Sequence, residues 1–227
     1  MPKLTSIILT SFNSTHYSTH MTMESIATVT AYTDPEDYEL ILLDPVPKFP
    51  VRDDYKVLKI DKWLKPDPDP GYTACMNLGA KEAKGDYLVF MQNDVFVMEG
   101  WLEGLRKYIE FGYEVVYPDQ VPRDRDYIKE TYKRNWFDPK TLKGGRDAGL
   151  FMITKKAFER TGGWNEELGM LAERDFYQRM GNAGVNWTDT NKVRIIHIMA
   201  ATNLQLLDEN PDEYNAKMKK DADILNI

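Results

Sequence analysis

The segment YLVFMQND at residues 87–94 limits the possible folds more than any other part of this sequence. Its first five residues form an uncharged apolar run, which is typical of a strand that is buried on both faces. Two similar runs, Ser6–Thr10 and Tyr38–Leu43, precede it, and helix-like segments separate the runs. Strands and helices that alternate in this way predict a largely parallel central sheet with helices on both faces.

The predicted helices each have one apolar face. Tyr72, Cys75, Met76, Gly79 and Ala83 recur at helical spacing, and Lys84-Gly85-Asp86 ends that helix. The other predicted helices cover about Thr22–Tyr32, Trp101–Ile109, Lys155–Thr161, a segment through Phe176, Met180 and Ala183, and one after Asn210 through Tyr214, Met218, Ala222 and Leu225. The other predicted strands are Val57–Ile60, Val115–Tyr117, Leu150–Thr154 and Val193–Ile198, and the predicted loops include Lys65–Gly71 and Pro118–Gly145.

Length and composition exclude several classes of protein. The 227 residues fit one large domain, and a net charge of −7 argues against a globally basic nucleic-acid binder. One cysteine excludes a disulfide framework and a cysteine-rich zinc site. A three-histidine metal site is not expected, since the chain has only the histidines His16, His20 and His197. No apolar run approaches the ~20 residues that span a bilayer, and no leader pattern is present. We therefore expect no membrane span and a cytoplasmic location.

Three polar residues, Gln92-Asn93-Asp94, come directly after the apolar run. Ligands of open parallel sheets bind at the carboxyl ends of the strands, where a carboxylate can hold a hard divalent cation. The alternative is that Asn93 and Asp94 cap a turn. His197 is a second candidate metal ligand if Asp94 binds a metal, and otherwise a packed or capping side chain.

Two further groups of acids are candidate site residues. Glu173 and Asp175 flank Arg174 at a predicted helix start, where paired acids suit general-base chemistry in a cleft. The alternative is a solvated helix start with acids at the positive end of the helix dipole. Asp44 ends the second strand, where it could accept hydrogen bonds from a base or ribose or could cap the turn before Pro45.

A basic and aromatic stretch extends from Arg123 to Arg146. It could contact phosphates or a polymeric acceptor through charge and stacking, or it could be a solvated loop. The sequence contains no glycine-rich Walker loop, no G-x-G-x-x-G after the first strand, no G-x-S-x-G elbow and no His-Glu-x-x-His motif. These absences disfavour the nucleotide sites and hydrolase chemistry that those motifs support.

Taken together and in this order, the motifs resemble those of family-2 glycosyltransferases with a GT-A fold. SIILTSFNS is similar to the opening strand of the family, with Ser11-Phe12-Asn13 in place of Thr-Tyr-Asn, and YELILLD is similar to its second strand. The block from Gly71 to Leu105 closely resembles the stretch from an Asn-x-Gly helix through Ala-x-Gly-Asp-Tyr to the metal-binding D-x-D strand. GGWNEELGMLAERDFYQRMGNAG resembles the Gly-Gly-Phe-Asp-Glu turn and the acid-rich catalytic helix. The similarity extends from about Lys3 to Asn203.

Three positions depart from the family pattern. Asp44-Pro45-Val46 replaces Asp-Gly-Ser after the second strand. Only the last acid of D-x-D is present, because the triplet is Gln92-Asn93-Asp94. The usual Glu-Asp-x-Asp aligns with Ala172-Glu173-Arg174-Asp175, so the general base of the family falls on Glu173, with Asp175 as the second choice.

The resemblance implies a GT-A fold and an inverting, metal-dependent enzyme that moves a sugar from a nucleoside-diphosphate sugar to an acceptor hydroxyl. Mn²⁺ or Mg²⁺ is the implied cofactor, with Asp94 and His197 as its ligands. The implied donor-binding residues are Phe12, Asn13, Asp44, Asn77 and Asn93, and Trp164 is a candidate either for stacking on a sugar or for the core.

The resemblance also divides the chain, which we treat as a single catalytic domain. Residues 1–117 form the implied nucleotide-binding half, residues 118–203 the acceptor and catalytic half, and residues 204–227 a C-terminal helix. The acceptor is expected to be a glycan or another hydroxyl compound, or a modified nucleic acid bound by the stretch 123–146.

Two other functions remain open at this stage. A sugar-phosphate nucleotidyltransferase shares the overall sheet, but its glycine-rich, basic first loop does not match SFNSTHYS after the first strand. A non-catalytic relative that binds nucleotide sugars is compatible with the loss of the first D-x-D acid. Pyrophosphate release from a nucleoside triphosphate distinguishes the first alternative, and turnover of a sugar donor distinguishes the second.

Overall fold

The computed structural model describes residues 4–13, 15–45, 58–123, 149–198, 207 and 210–227. Within these ranges the chain alternates strands with helices in its first half, as the sequence predicts. No helix among these residues is long and apolar enough to cross a bilayer. The elements in chain order are β1 (Thr5–Thr10), α1 (His16–Tyr32), β2 (Tyr38–Leu43), β3 (Lys62–Leu64), α2 (Tyr72–Glu82), β4 (Tyr87–Gln92), β5 (Val95–Phe96), α3 (Trp101–Glu110), β6 (Val115–Arg123), β7 (Leu150–Thr154), α4 (Lys155–Thr161), α5 (Ala172–Asn182), β8 (Trp187–Ile198) and α6 (Pro211–Leu225).

The described strands form one eight-stranded sheet in the order β3-β2-β1-β4-β7-β6-β8-β5. Strands β1 to β4 pair in parallel, which confirms the parallel arrangement predicted for the first half of the chain. Strand β7 runs antiparallel to both β4 and β6, and β5 runs antiparallel to β8. The sheet is therefore mixed: its parallel pairs lie around β1 and between β6 and β8, and its antiparallel pairs involve β7 and β5.

Alternation along β4 builds a core on each face of the sheet. Val89 and Met91 pack on the side covered by α1 and α3, whereas Leu88 and Phe90 pack on the side covered by α2, α4 and α5. All four side chains are fully buried, as expected for a central strand between two helical layers. On the second side Gly79 allows α2 to approach β1 closely, because a Cβ atom there would lie 2.4 Å from Cγ2 of Ile8.

The first helix begins earlier than predicted. The sequence predicts a helix from about Thr22, with a polar break before it, but α1 begins at His16. A reciprocal cap explains the difference: the Ser18 amide donates to Oγ1 of Thr15, and the Thr15 amide donates to Oγ of Ser18. Two short hydroxyl side chains thus begin a helix whose first turn has no apolar pattern.

Long-range pairing explains the other differences in element bounds. Strand β6 extends to Arg123 and β8 begins at Trp187, since these two strands pair in parallel along their whole length with one irregularity between Pro118 and Asp119. The predicted loop 118–145 is therefore wrong for residues 118–123, and its remainder lies outside the described residues. The third strand is Lys62–Leu64 rather than Val57–Ile60, of which residue 57 lies outside the described residues.

Candidate active site

A cavity of about 430 Å³ opens at the carboxyl ends of β1 and β4. This is the edge of a parallel sheet at which ligands bind, because neighbouring strands there leave a crevice between their outgoing loops. The wall includes residues 10–12 at the end of β1, residues 92–94 at the end of β4, the loop 166–170 with Glu173 at the start of α5, and Lys217, Lys220 and Asp221 of α6.

Strand pairing brings His197, which does not line the cavity, next to Asp94, which does. Val95 pairs with His197 where β5 runs antiparallel to β8, and the amide of Ile198 donates to the carbonyl oxygen of Asp94 over 2.9 Å. Oδ1 of Asp94 lies 3.4 Å from Nε2 of His197, and both side chains are less than 5% exposed. The structure therefore brings the two predicted metal ligands together.

The chemistry of this pair fits a divalent cation. Among the described residues, Oδ1 of Asp94 accepts no hydrogen bond although it is buried, which leaves a carboxylate oxygen available beside an imidazole. No group of three or more histidine, cysteine or carboxylate side chains in the described ranges is arranged to hold a metal. Two protein ligands suit Mg²⁺ or Mn²⁺ in phosphate chemistry, because such ions keep waters and take substrate phosphate oxygens as well.

Gly149 leaves space for the imidazole of His197. A Cβ atom at this position would lie 2.6 Å from Nδ1 of His197 and 2.7 Å from Oε1 of Gln120. Any larger residue at position 149 would therefore displace the ring or the amide beside it. Neither the family resemblance nor the residue patterns of the sequence indicated a role for this glycine.

Asp44 is at the centre of a buried hydrogen-bond cluster. Its Oδ1 accepts from Oγ of Ser11 over 2.7 Å and from Nδ2 of Asn13 over 2.8 Å, and its Oδ2 accepts from Nε1 of Trp63 over 3.3 Å. The Asp44 side chain is fully buried and does not line the cavity. These contacts join the ends of β1, β2 and β3.

The same cluster extends through α1 to the residue next to Asp94. Oγ1 of Thr22 donates to Oδ1 of Asn13 over 3.1 Å and accepts from Nδ2 of Asn93 over 3.1 Å. Asn13 and Thr22 are fully buried, and Asn93 is 5% exposed and lines the cavity. Asp44, Asn13, Thr22 and Asn93 thus form a continuous chain of hydrogen bonds, in which Thr22 is a link that the sequence did not indicate.

The two acids of α5 point in different directions. Residues two positions apart on a helix are separated by about 200° around its axis, so Glu173 and Asp175 cannot face the same site. Glu173 lines the cavity, and its Oε1 lies 3.5 Å from Nε2 of Gln92. Asp175 does not line the cavity and instead accepts two hydrogen bonds, of 2.8 and 2.6 Å, from Arg179.

Phe12, Asn77 and Trp164 have three different environments. Phe12 is 39% exposed at the cavity, which suits stacking on a flat ligand. Asn77 joins α2 to the Gly-Gly-Trp turn, because its amide group exchanges hydrogen bonds of 2.8 and 2.9 Å with the backbone of Trp164. Trp164 itself is a core residue that stacks on Phe176 with ring centroids 4.3 Å apart.

Helix α6 contributes site residues that the sequence did not single out. Lys217 and Lys220 line the cavity, and Lys217 also pairs with Glu213 over 2.7 Å. Asp221 lines it as well and is only 2% exposed. The sequence did indicate that residue 221 is buried, since it falls on the helical stripe of positions 214, 218, 222 and 225.

Residues 124–146 of the predicted basic stretch lie outside the described residues.

Comparison with solved structures defines the class of fold. GalNAc-T7 with UDP, GalNAc and Mn²⁺ superposes with a TM-score of 0.65 and 17% identity over 86% of this chain and 43% of that one. The mannosyltransferase PcManGT from Pyrobaculum calidifontis, in complex with GDP-Man and Mn²⁺, superposes with a TM-score of 0.66 and 15% identity over 92% of this chain and 61% of that one. This chain thus has the GT-A fold and spans less than two thirds of either protein.

Sequence comparison adds a family match over part of the chain. Residues 56–165 match the family model of glycosyl transferase family 2, and they include α2, β4 and the triplet 92–94. This match covers just under half of the chain, and together with the GT-A fold it supports a family-2 glycosyltransferase. A search of the curated protein sequences gives no significant match.

Proposed function

We propose that this protein is an inverting, metal-dependent glycosyltransferase that moves a sugar from a nucleoside-diphosphate sugar to an acceptor hydroxyl. The observation that carries the proposal is the convergence of Asp94 and Glu173 on one cavity at the carboxyl ends of β1 and β4. One carboxylate is buried beside an imidazole, as a metal ligand requires, and the other lies at a helix start, where an acceptor can reach it. The family-model match over residues 56–165 and the GT-A fold support the same chemistry.

Donor binding is assigned to the end of the sheet. Phe12 stacks on the base, and the buried cluster around Asp44 and Asn13 fixes the strand ends that hold the ribose. Asp94 and His197 would hold Mn²⁺ or Mg²⁺, and the bound ion would supply positive charge near the diphosphate leaving group. The neighbouring structures that contain UDP or GDP-Man together with Mn²⁺ support a donor of this class.

Transfer is a single displacement at the anomeric carbon. Glu173 takes the proton of the acceptor hydroxyl while the acceptor oxygen forms a bond to that carbon. The bond between the anomeric carbon and the diphosphate oxygen breaks, and its electron pair leaves with the nucleoside diphosphate. Inversion follows because the acceptor attacks from the face opposite the leaving group. We place donor binding in residues 1–117 and acceptor binding and proton transfer in residues 118–203.

A non-catalytic protein that binds nucleotide sugars is the second candidate. Gln92 occupies the position of the first D-x-D acid and lies against Glu173, so the site has one carboxylate fewer near the diphosphate. Such a protein would bind the donor with Mn²⁺ but release no nucleotide. A sugar-phosphate nucleotidyltransferase would instead release pyrophosphate from a nucleoside triphosphate.

A donor panel tests the proposal. Nucleotide sugars of uridine, guanosine and thymidine are each added with and without Mn²⁺, and the melting temperature of the protein is recorded, since a ligand that binds the native state stabilises it. Nucleotide release from each stabilising donor is then measured, first with water and then with a set of glycan acceptors. We expect Mn²⁺-dependent stabilisation by one donor class and Mn²⁺-dependent release of its nucleotide. Binding without any release supports the second candidate instead.

A further inference from the structure

The C-terminal helix α6 buries a carboxylate rather than an apolar side chain. Asp221 is 2% exposed, and it is the fully buried residue of this helix. A buried carboxylate is costly unless donors replace its water, by several kcal/mol in typical proteins. The hydrogen-bond partners of Asp221 therefore identify the groups that compensate this cost.

Both partners of Asp221 belong to the segment that leads into α5. Its Oδ2 atom accepts from the amides of Gly169 and Leu171, each over 2.9 Å. Leu171 is the residue directly before α5, and its own side chain caps no amide of that helix. The negative charge of Asp221 also lies at the positive end of the α5 dipole, which favours the arrangement.

These contacts connect α6 to the candidate general base. Glu173 is the second residue of α5, two residues after Leu171, and both Glu173 and Asp221 line the cavity. The direction of a side chain in the first turn of a helix depends on where the helix starts. A carboxylate that binds the backbone just before that start therefore fixes the direction in which the Glu173 side chain points.

We propose that Asp221 is a positioning residue, which sets the start of α5 and thereby places Glu173 for proton transfer. The proposal rests on the proposed function and adds a contribution of the C-terminal helix to the reaction. Asp221 acts through the backbone of Gly169 and Leu171, so its loss should lower the rate of the chemical step and leave donor binding intact. A merely stabilising contact would change the melting temperature alone.

The test compares Asp221→Ala, Asp221→Asn and Asp223→Ala in the full chain. Asp223 is two residues away on the same helix, is exposed and pairs with Lys219 over 2.6 Å, so its removal matches the charge change away from the cavity. For each variant we measure kcat and KM for nucleotide release with Mn²⁺, using the donor that the wild-type protein turns over. The Kd of its free nucleotide with Mn²⁺ and the melting temperature are measured in parallel.

We expect Asp221→Ala to lower kcat by about 10- to 100-fold with little change in the nucleotide Kd, because a displacement near 1 Å at a catalytic group costs this much. Asp221→Asn keeps an oxygen that can accept from both amides, so it should recover most of the lost rate. Asp223→Ala should behave like the wild-type protein.

Three results overturn the positioning role. The first is a wild-type kcat in folded Asp221→Ala. The second is a loss of kcat in Asp221→Asn or in Asp223→Ala that is as large as the loss in Asp221→Ala. The third is a loss of nucleotide affinity with an unchanged kcat. If Asp221→Ala is unfolded, Asp221→Ser takes its place. Its hydroxyl is too short to reach both amides, so the same loss in kcat is expected, and a wild-type kcat in folded Asp221→Ser overturns the role. A wild-type protein that releases no nucleotide from any donor fails the proposed function itself, and that outcome is recognised before any variant is compared.

Discussion

Oδ1 of Asp94 lies 3.4 Å from Nε2 of His197, in a region where both side chains are almost fully buried. The contact depends on the pairing of β5 with β8, two elements far apart in the sequence. A carboxylate and an imidazole at this separation can share one cation between them, with further positions left for phosphate oxygens. The pair thus forms the centre of the proposed donor site.

Asp94→Ala should abolish Mn²⁺-dependent binding of nucleoside diphosphates. The variant removes the proposed carboxylate ligand of the metal, and we expect kcat/KM for nucleotide release to fall by at least about 100-fold. Isothermal titration with UDP and GDP in the presence of Mn²⁺ measures the binding directly. Asp86→Asn is a matched control, because Asp86 is exposed at the opposite end of β4. Unchanged Mn²⁺-dependent binding in Asp94→Ala would remove Asp94 from the metal site.

Thr22→Val should weaken nucleotide binding although Thr22 does not line the cavity. Valine matches threonine in shape but can neither donate to Asn13 nor accept from Asn93, so both buried amides lose a partner. We expect a loss of about 1–3 kcal/mol in the free energy of unfolding, measured by urea denaturation. Mn²⁺-dependent nucleotide affinity should fall by about tenfold, since Asn93 adjoins Asp94.

Thr30→Val is the control for this network. Thr30 lies about two turns further along α1, and its hydroxyl donates to the carbonyl oxygen of Ile26 within the same helix. We expect no change in nucleotide affinity for this variant. Equal effects of the two substitutions on nucleotide affinity would show that the hydrogen-bond chain from Asp44 to Asn93 does not support the site.

Glu173→Gln and Asp175→Asn should have opposite consequences. Glu173→Gln removes the proposed proton acceptor at the cavity, so kcat for transfer should fall by about 10²- to 10⁴-fold while the donor should still bind. Asp175→Asn removes the partner of Arg179, so it should cost about 1 kcal/mol of stability and leave kcat within about threefold of wild type. Steady-state kinetics and thermal unfolding of both variants make the comparison. The reverse pattern would assign the general base to Asp175.

Local patterns predicted the central strands and the site residues that directly follow them. The apolar run before Gln92 and its polar ending located both the sheet and the candidate metal ligand Asp94, because each depends on neighbouring residues alone. The roles of Thr22 and Asp221 could not be predicted in this way, since each depends on partners distant in the sequence. The helical stripe that includes position 221 indicates that this position is buried, but it does not indicate which backbone amides Asp221 binds. The start of α1 was missed for a similar reason, as a cap of two hydroxyl residues resembles a polar loop.

Cys75 provides a prediction about pH. Burial raises the pKa of its thiol to about 12, and the negative charge of Asp69 adds to the shift. In the unfolded chain the thiol ionises near its ordinary value of about 8.5. The folded state therefore binds the proton more tightly, and the stability that it gains is complete below that ordinary value. It is lost as the pH rises toward 12, because the unfolded thiol ionises while the native one does not.

Chemical denaturation of the wild-type protein and Cys75→Ala at pH 7, 9 and 10 measures this contribution. The difference in unfolding free energy between the two proteins should be constant below about pH 8 and should then shrink by up to about 1.4 kcal/mol per pH unit, since only the wild-type chain carries the titrating thiol. Thiol labelling at pH 8 gives an independent readout: the native protein should react far more slowly than the urea-unfolded chain, since Cys75 is fully buried and stays protonated. A difference in free energy that stays constant up to pH 10 would show that the native thiol ionises as readily as the unfolded one.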